Sequence, residues 1–203
     1  MHFFPHFLSA FTAAILHLLT APSTGSVVES DASAVINAVD TITANLATLN
    51  HTVCTYSGGF TGTPAVLQIK WETWVVEQDL ISSIKTTQSS GNFTKRESRD
   101  VAISFVNLQP VVMAALDNLI EKKSAFETGL LGLFSLTELV KSDLVRLKAL
   151  AAELGEVIVP KLTEFYAALA PLINNRIADK FDDAIEEFTI LDDEGRRWAR
   201  SQL

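Results

Sequence analysis

Histidine and cysteine are almost missing from this 203-residue sequence: beyond residue 25 there is one of each, His51 and Cys54. General acid–base, nucleophilic and metal chemistry near neutral pH draw heavily on these residues, so their scarcity points to binding over catalysis. A single cysteine excludes a disulfide framework. Cys54 reads either as a small buried hydrophobe or as a thiol that pairs between molecules. His51 and Cys54 stand three apart, but two ligands do not make a zinc site that needs three or four, so neither metal nor cofactor is expected. Phosphate-cradling glycine loops and Gly-x-Ser-x-Gly elbows are absent as well. The acidic cluster Asp182, Asp183, Glu186 and Glu187 alternates with apolar residues as a solvated helix face does. A formal net charge of −8 argues against nucleic acid or an anionic membrane as partner.

Long uncharged apolar runs are scarce too. The clearest, Phe7 to Leu19, falls short of the roughly 20 residues that a transmembrane helix needs, so no membrane span is expected. Small residues, Ala21-Pro22-Ser23-Thr24-Gly25, follow it. This is the pattern of a secretory signal over residues 1–25, which places the mature chain outside the cell or in the cell wall. Two sequons fit that destination, Asn50-His51-Thr52 and Asn92-Phe93-Thr94, and Asn92 is the better placed because it lies between predicted helices. At the other end, residues 192–203 lack an apolar stripe and have the composition of a disordered tail, with no hydrophobic run for a lipid anchor signal. The domain proper is therefore expected over residues 26–191.

What fills that domain is helical periodicity. From Ser30 to Tyr56, Val35, Val39, Ile42, Leu46, Leu49 and Val53 follow 4-3-4-3-4 spacing, one unbroken stripe. Ser57-Gly58-Gly59 breaks it, and Thr63-Pro64 starts a second helix carrying Val66, Ile69, Val76, Leu80 and Ile84, with Trp71 and Trp74 beside them. Thr94 and Glu97 form a capping box for a third helix, striped by Val101, Phe105, Leu108, Val112, Leu116 and Leu119 and interrupted by Pro110. After an apolar, glycine-containing connector over 124–134, Ser135 and Glu138 suggest a second capping box and a fourth helix that Gly155 ends. The fifth helix starts near Glu156, has Pro160 in its first turn, and runs to about Leu191 past Pro171. No alternating strand pattern appears. The expected fold is all-α, an up-and-down bundle of about five amphipathic helices, packed solidly or enclosing an apolar cavity.

Three segments carry a resemblance: the Val35-to-Tyr56 helix with its Ser-Gly-Gly ending, the stretch 119–126 (LIEKKSAF), and the stretch 140–148 (VKSDLVRLK). Together they resemble the fungal hydrophobic surface binding protein A family, which includes the cell-wall galactomannoproteins, over about Val27 to Leu191. The resemblance implies a secreted helical domain without enzymatic activity. Its partner would be a fatty acid or similar lipid in an interior cavity, or an apolar surface, with cell-wall or secreted proteins as further partners.

A cavity among the stripes would be lined at mid-helix by Leu46, Leu49, Val76, Leu80, Phe105, Val112, Met113, Leu116, Leu147, Phe165 and Leu169. Thr73, Gln109 and Tyr166 interrupt or flank these stripes and are the candidate contacts for a lipid head group.

Overall fold

A computed structural model describes residues 31–59, 62–127 and 136–201. It contains α1 (Asp31–Thr55), α2 (Thr63–Ser89), α3 (Lys95–Glu121), the short α4 (Lys123–Glu127), α5 (Thr137–Ile158), a 3-10 turn (Val159–Lys161) and α6 (Glu164–Ser201). Among the described residues there is no strand, and the fold is all-α as the periodicity requires. The signal segment and residues 128–135 of the glycine-containing connector lie outside the described residues.

Local chemistry sets the helix ends. After α1, Gly58 and Gly59 take φ values of 74° and 69°, the left-handed region where a β-carbon is strained, and α2 then begins at Thr63-Pro64. At α3 the capping box is complete: Glu97 donates its backbone N–H to the Thr94 hydroxyl at 3.3 Å, and Thr94 donates its own N–H to the Glu97 carboxylate at 2.8 Å. The backbone bond from Thr94, then its hydroxyl bond, holds the Glu97 carboxyl below its ordinary range.

Four details differ from the sequence reading. Ser135 lies outside the described residues, and α5 starts behind Leu136 with no side-chain cap. Gly155 does not end α5; it is buried inside it, where an added β-carbon would come within 2.6 Å of the Asn174 amide nitrogen. Its missing side chain is what lets α6 approach. Pro160 sits in the 3-10 turn, so α6 starts at Glu164. Finally, α6 continues to Ser201, through residues whose composition suggested a disordered tail.

The five long helices close into a ring. α1 packs on α2 and α3, α2 on α5, α5 on α6, and α6 on α3. Polar pairs fix the directions. Asn45 with Asp79 and Gln68 with Thr52 make α1 and α2 antiparallel, and Lys148 with Asp182 joins antiparallel α5 and α6. Lys70 with Asp143 and Arg146 with Glu77 make α2 and α5 parallel, and Thr163 with Ser98 and Lys180 with Asp117 do the same for α3 and α6. Asn50 and Asn118 join α1 and α3 near their C-terminal ends. A ring with an odd number of members cannot alternate direction throughout, so some neighbours must run parallel. α3 has the length and hydropathy of a membrane span; here its stripe residues Val101, Leu108, Val112 and Leu116 are buried, while Ile103 and Val106 on its other side are exposed.

Buried aromatic residues pack at both ends of the ring. At one, Phe93 is buried and donates its N–H to the Lys161 carbonyl at 2.8 Å. At the other, Tyr56 and Phe188 flank Phe126, with ring centroids 4.8 and 6.2 Å from it.

Candidate functional site: a cavity inside the helix ring

Five helices in a ring do not fill their own centre. At axis separations of 8–10 Å the ring axis lies about 8 Å from each helix, against a helix radius of about 5–6 Å, leaving a lumen roughly 2–3 Å in radius. The structure contains such a lumen, a cavity of about 560 Å³ lined by all five long helices. Small residues at inward positions keep it open: Ala115 on α3, Ala151 on α5, and Ala178 on α6. Along α3 the lining runs from Phe105 to Leu119, about 21 Å at 1.5 Å per residue. The lumen is therefore narrow and long, the shape of one alkyl chain.

The wall is mostly aliphatic. Of the sequence candidates, Leu46, Leu49, Val76, Leu80, Phe105, Val112, Leu116 and Leu147 line the cavity. Ile42, Val53, Leu108, Leu119, Leu144, Ile177 and Phe181 line it as well; all of them lie on apolar stripes visible in the sequence, yet none was singled out. Met113, Phe165 and Leu169 lie outside it, and the last two are 65% and 42% exposed. Helical geometry explains the displacement. Steps of four residues advance 40° around a helix with 3.6 residues per turn, so a stripe read 165, 169, 173, 177, 181 turns by about 160°. With Phe181 facing inward, Phe165 must face out.

Polar groups in the wall are few and mostly occupied. Thr73, a head-group candidate, lines the cavity, but its hydroxyl donates to the Ile69 carbonyl at 2.8 Å. Gln109 and Tyr166, the other two, are half-buried outside the lining, Tyr166 with its ring edge-on to Phe165. Asn50 accepts a hydrogen bond from Asn118 at 2.9 Å. Asp143 accepts from Lys70 at 2.6 and 2.9 Å, and Lys148 donates to Asp182 at 2.5 Å. Sequence reading missed Lys148, Glu156, Asn174 and Asn175, which lie on the flank where α5 meets α6. The signal for them is the small-residue face Ala151, Ala152, Gly155 that seats α6 against α5. The exposed members of the lining, Ala152, Glu156, Pro160 and Asn175, all belong to α5, the 3-10 turn or α6, so the mouth lies between these helices.

Other candidates fall elsewhere. Cys54 is exposed on α1, its thiol 3.8 Å from the Asn50 amide oxygen, which corrects the buried-hydrophobe reading. Three or more His, Cys, Asp or Glu residues in metal-binding proximity do not occur among the described residues. Of the sequons, Asn92 is exposed in the α2–α3 connector, whereas Asn50 is half-buried in the cavity wall.

A comparison with curated proteins finds no match. Solved structures do match in fold. The crystal structure of Afmp4p in complex with palmitic acid superposes with a TM-score of 0.72 at 19% identity, covering 77% of this chain and 99% of that one. Ligand binding domain 1 of the Penicillium marneffei MP1 protein, complexed with arachidonic acids, gives 0.70 at 17% identity over 78% and 98%. Domain 2 of the same protein, complexed with multiple arachidonic acids, gives 0.70 at 19% over 79% and 97%. In sequence, residues 32–160 match the family description "Hydrophobic surface binding protein A", a span running from α1 to the 3-10 turn, and the chain belongs to that family.

Proposed function

We propose that this protein is a secreted, non-enzymatic lipid carrier that holds one long-chain lipid, a fatty acid or a close relative, in the lumen of its helix ring. The observation that carries this reading is the apolar cavity of about 560 Å³, within the range of small-molecule sites. Its energetics suffice. Burying about 15 methylenes at roughly 0.8 kcal/mol each yields on the order of 12 kcal/mol, which leaves micromolar or better affinity after ordering costs. Structures of the same fold bind palmitic and arachidonic acids, which supports the same ligand class here. Leu46, Leu49, Val76, Leu80, Phe105, Val112, Leu116 and Leu147 would contact the chain. Secretion and a place outside the cell or in the wall rest on the N-terminal signal pattern and on the exposed sequon at Asn92. The test is displacement of the uncharged fluorophore N-phenyl-1-naphthylamine by a panel of palmitic acid, hexadecanol and monopalmitoylglycerol. Displacement at micromolar concentration by any of them supports the reading, and none by all three refutes it.

A second reading has its own observation. Leu67, Trp71 and Trp74 on α2 and Phe165, Leu169 and Leu172 on α6 form two exposed apolar stripes at 4-3 spacing, with the Trp71 and Trp74 rings tilted together at a centroid distance of 4.9 Å. Contiguous exposed apolar patches mark contact surfaces, and adsorption to an apolar solid would use them without opening the ring. Depletion by hydrophobic beads, reduced in a Trp71→Ser, Trp74→Ser variant that still binds the fluorophore, would establish it.

A further inference from the structure

The cavity has no positive charge to spare. Lys148 is the single cation in its lining among the described residues, and its ammonium is taken by Asp182. Asp143 is likewise matched by Lys70. Glu156 stands exposed at the mouth without an ion-pair partner among the described residues, so the net charge there is negative. What the mouth offers instead is amide. Asn174 is half-buried in the wall, and its side chain makes no hydrogen bond among the described residues. Its position is specified by Gly155, against whose backbone the amide lies: a β-carbon there would be 2.6 Å from Nδ2 and 3.3 Å from Oδ1. Glycine is unfavourable inside a helix relative to alanine, and the space it leaves is filled by this amide. Deeper in the cavity the polar groups are engaged, Thr73 with the Ile69 carbonyl and Asn50 with Asn118.

A carboxylate withdrawn from water needs a countercharge or several donors. An alcohol or ester needs one or two hydrogen bonds, and an asparagine amide supplies donor and acceptor together. We infer that the cavity prefers a single-chain lipid with an uncharged polar end, an alcohol or glycerol ester, to a fatty-acid anion, and that Asn174 binds that end at the α5–α6 mouth. The inference rests on the lipid reading above and adds the class of head group and the residue that selects it.

The experiment is competition against N-phenyl-1-naphthylamine at pH 7 with hexadecanol, monopalmitoylglycerol and palmitate, on the wild-type chain and two variants. In the wild type both uncharged lipids should displace the probe at lower concentration than palmitate. Asn174→Leu should weaken the uncharged lipids about fivefold, the worth of one net hydrogen bond, and leave palmitate unchanged. Asp182→Asn, at an exposed position, should free Lys148 and tighten palmitate several-fold with no change for the alcohol. Should Asn174→Leu fail to fold, the wild-type ranking and Asp182→Asn still decide. Palmitate binding as tightly as the uncharged lipids overturns the inference while leaving the lipid reading intact, as does a folded Asn174→Leu that keeps full alcohol affinity. Failure of all three lipids to displace the probe overturns both.

Discussion

Replacing Ala151 by leucine distinguishes a hollow ring from a packed one by the sign of its effect. Ala151 lies about two-thirds of the way along α5, in the cavity wall. Leucine adds three carbons, worth about 2.4 kcal/mol at roughly 0.8 kcal/mol each, and ordering the longer side chain takes back about 0.5–1 kcal/mol. If the lumen accepts it, the lipid-free variant is more stable than wild type by about 1.5–2 kcal/mol. At a urea dependence of about 2 kcal/mol per molar, the unfolding midpoint rises by roughly 0.7–1 M. In a filled interior the same change is overpacking and costs about 1–3 kcal/mol, so the midpoint falls. Added lipid should invert the order. At 100 times its Kd a ligand stabilises wild type by about 2.7 kcal/mol, and the variant, with its lumen obstructed, gains little. A lowered midpoint in the lipid-free protein, or a raised one with undiminished lipid binding, would refute the reasoning.

Other expectations concern single residues. Tyr56 is buried with its hydroxyl unpartnered among the described residues, so Tyr56→Phe should stabilise by about 1 kcal/mol in urea melts. Burial also holds the Tyr56 phenol above its ordinary range, so the unfolded chain releases that proton first. Wild type should therefore lose stability relative to the Phe variant as pH rises past about 10, the unfolded value. Thr94→Ala, which removes the α3 cap, should cost about 1 kcal/mol at neutral pH. Because the Glu97 carboxyl is lowered in the folded state, its share is complete above the unfolded value of about 4.3 and fades as pH falls through the folded one, so a pH series of melts should show the two proteins converging in acid. Peptide mapping of protein from a secreting host should find glycan on exposed Asn92 and none on Asn50, which is tied to Asn118 in the cavity wall.

Much of the fold is legible because periodicity records which side of a helix is buried. The 4-3-4-3-4 run on α1 is inward as read, and Thr94 with Glu97 makes the cap that its spacing specifies. Two things are not legible. A run of four-residue steps on α6 drifts around the helix, so Phe165 and Phe181 look alike in sequence but face opposite ways. Side-chain size in a stripe also reads differently when helices close a ring: Ala151 and Ala178 appear as weak core positions, yet they keep the lumen open. Gly155 reads as a helix stop because the sequence does not reveal that Asn174 occupies the space of its missing side chain. The mouth, assembled by α5 and α6 from residues with no common motif, emerges only from tertiary packing.

Whether the lumen holds a lipid is answered most directly by native mass spectrometry of the protein purified from a secreting culture without detergent. We expect a population heavier than the polypeptide and its glycans by the mass of one long-chain lipid, which solvent extraction removes and identifies and which Ala151→Leu reduces. A protein that carries nothing as purified, and still carries nothing after incubation with palmitic acid, hexadecanol and monopalmitoylglycerol, would contradict the assignment of the cavity as a lipid site.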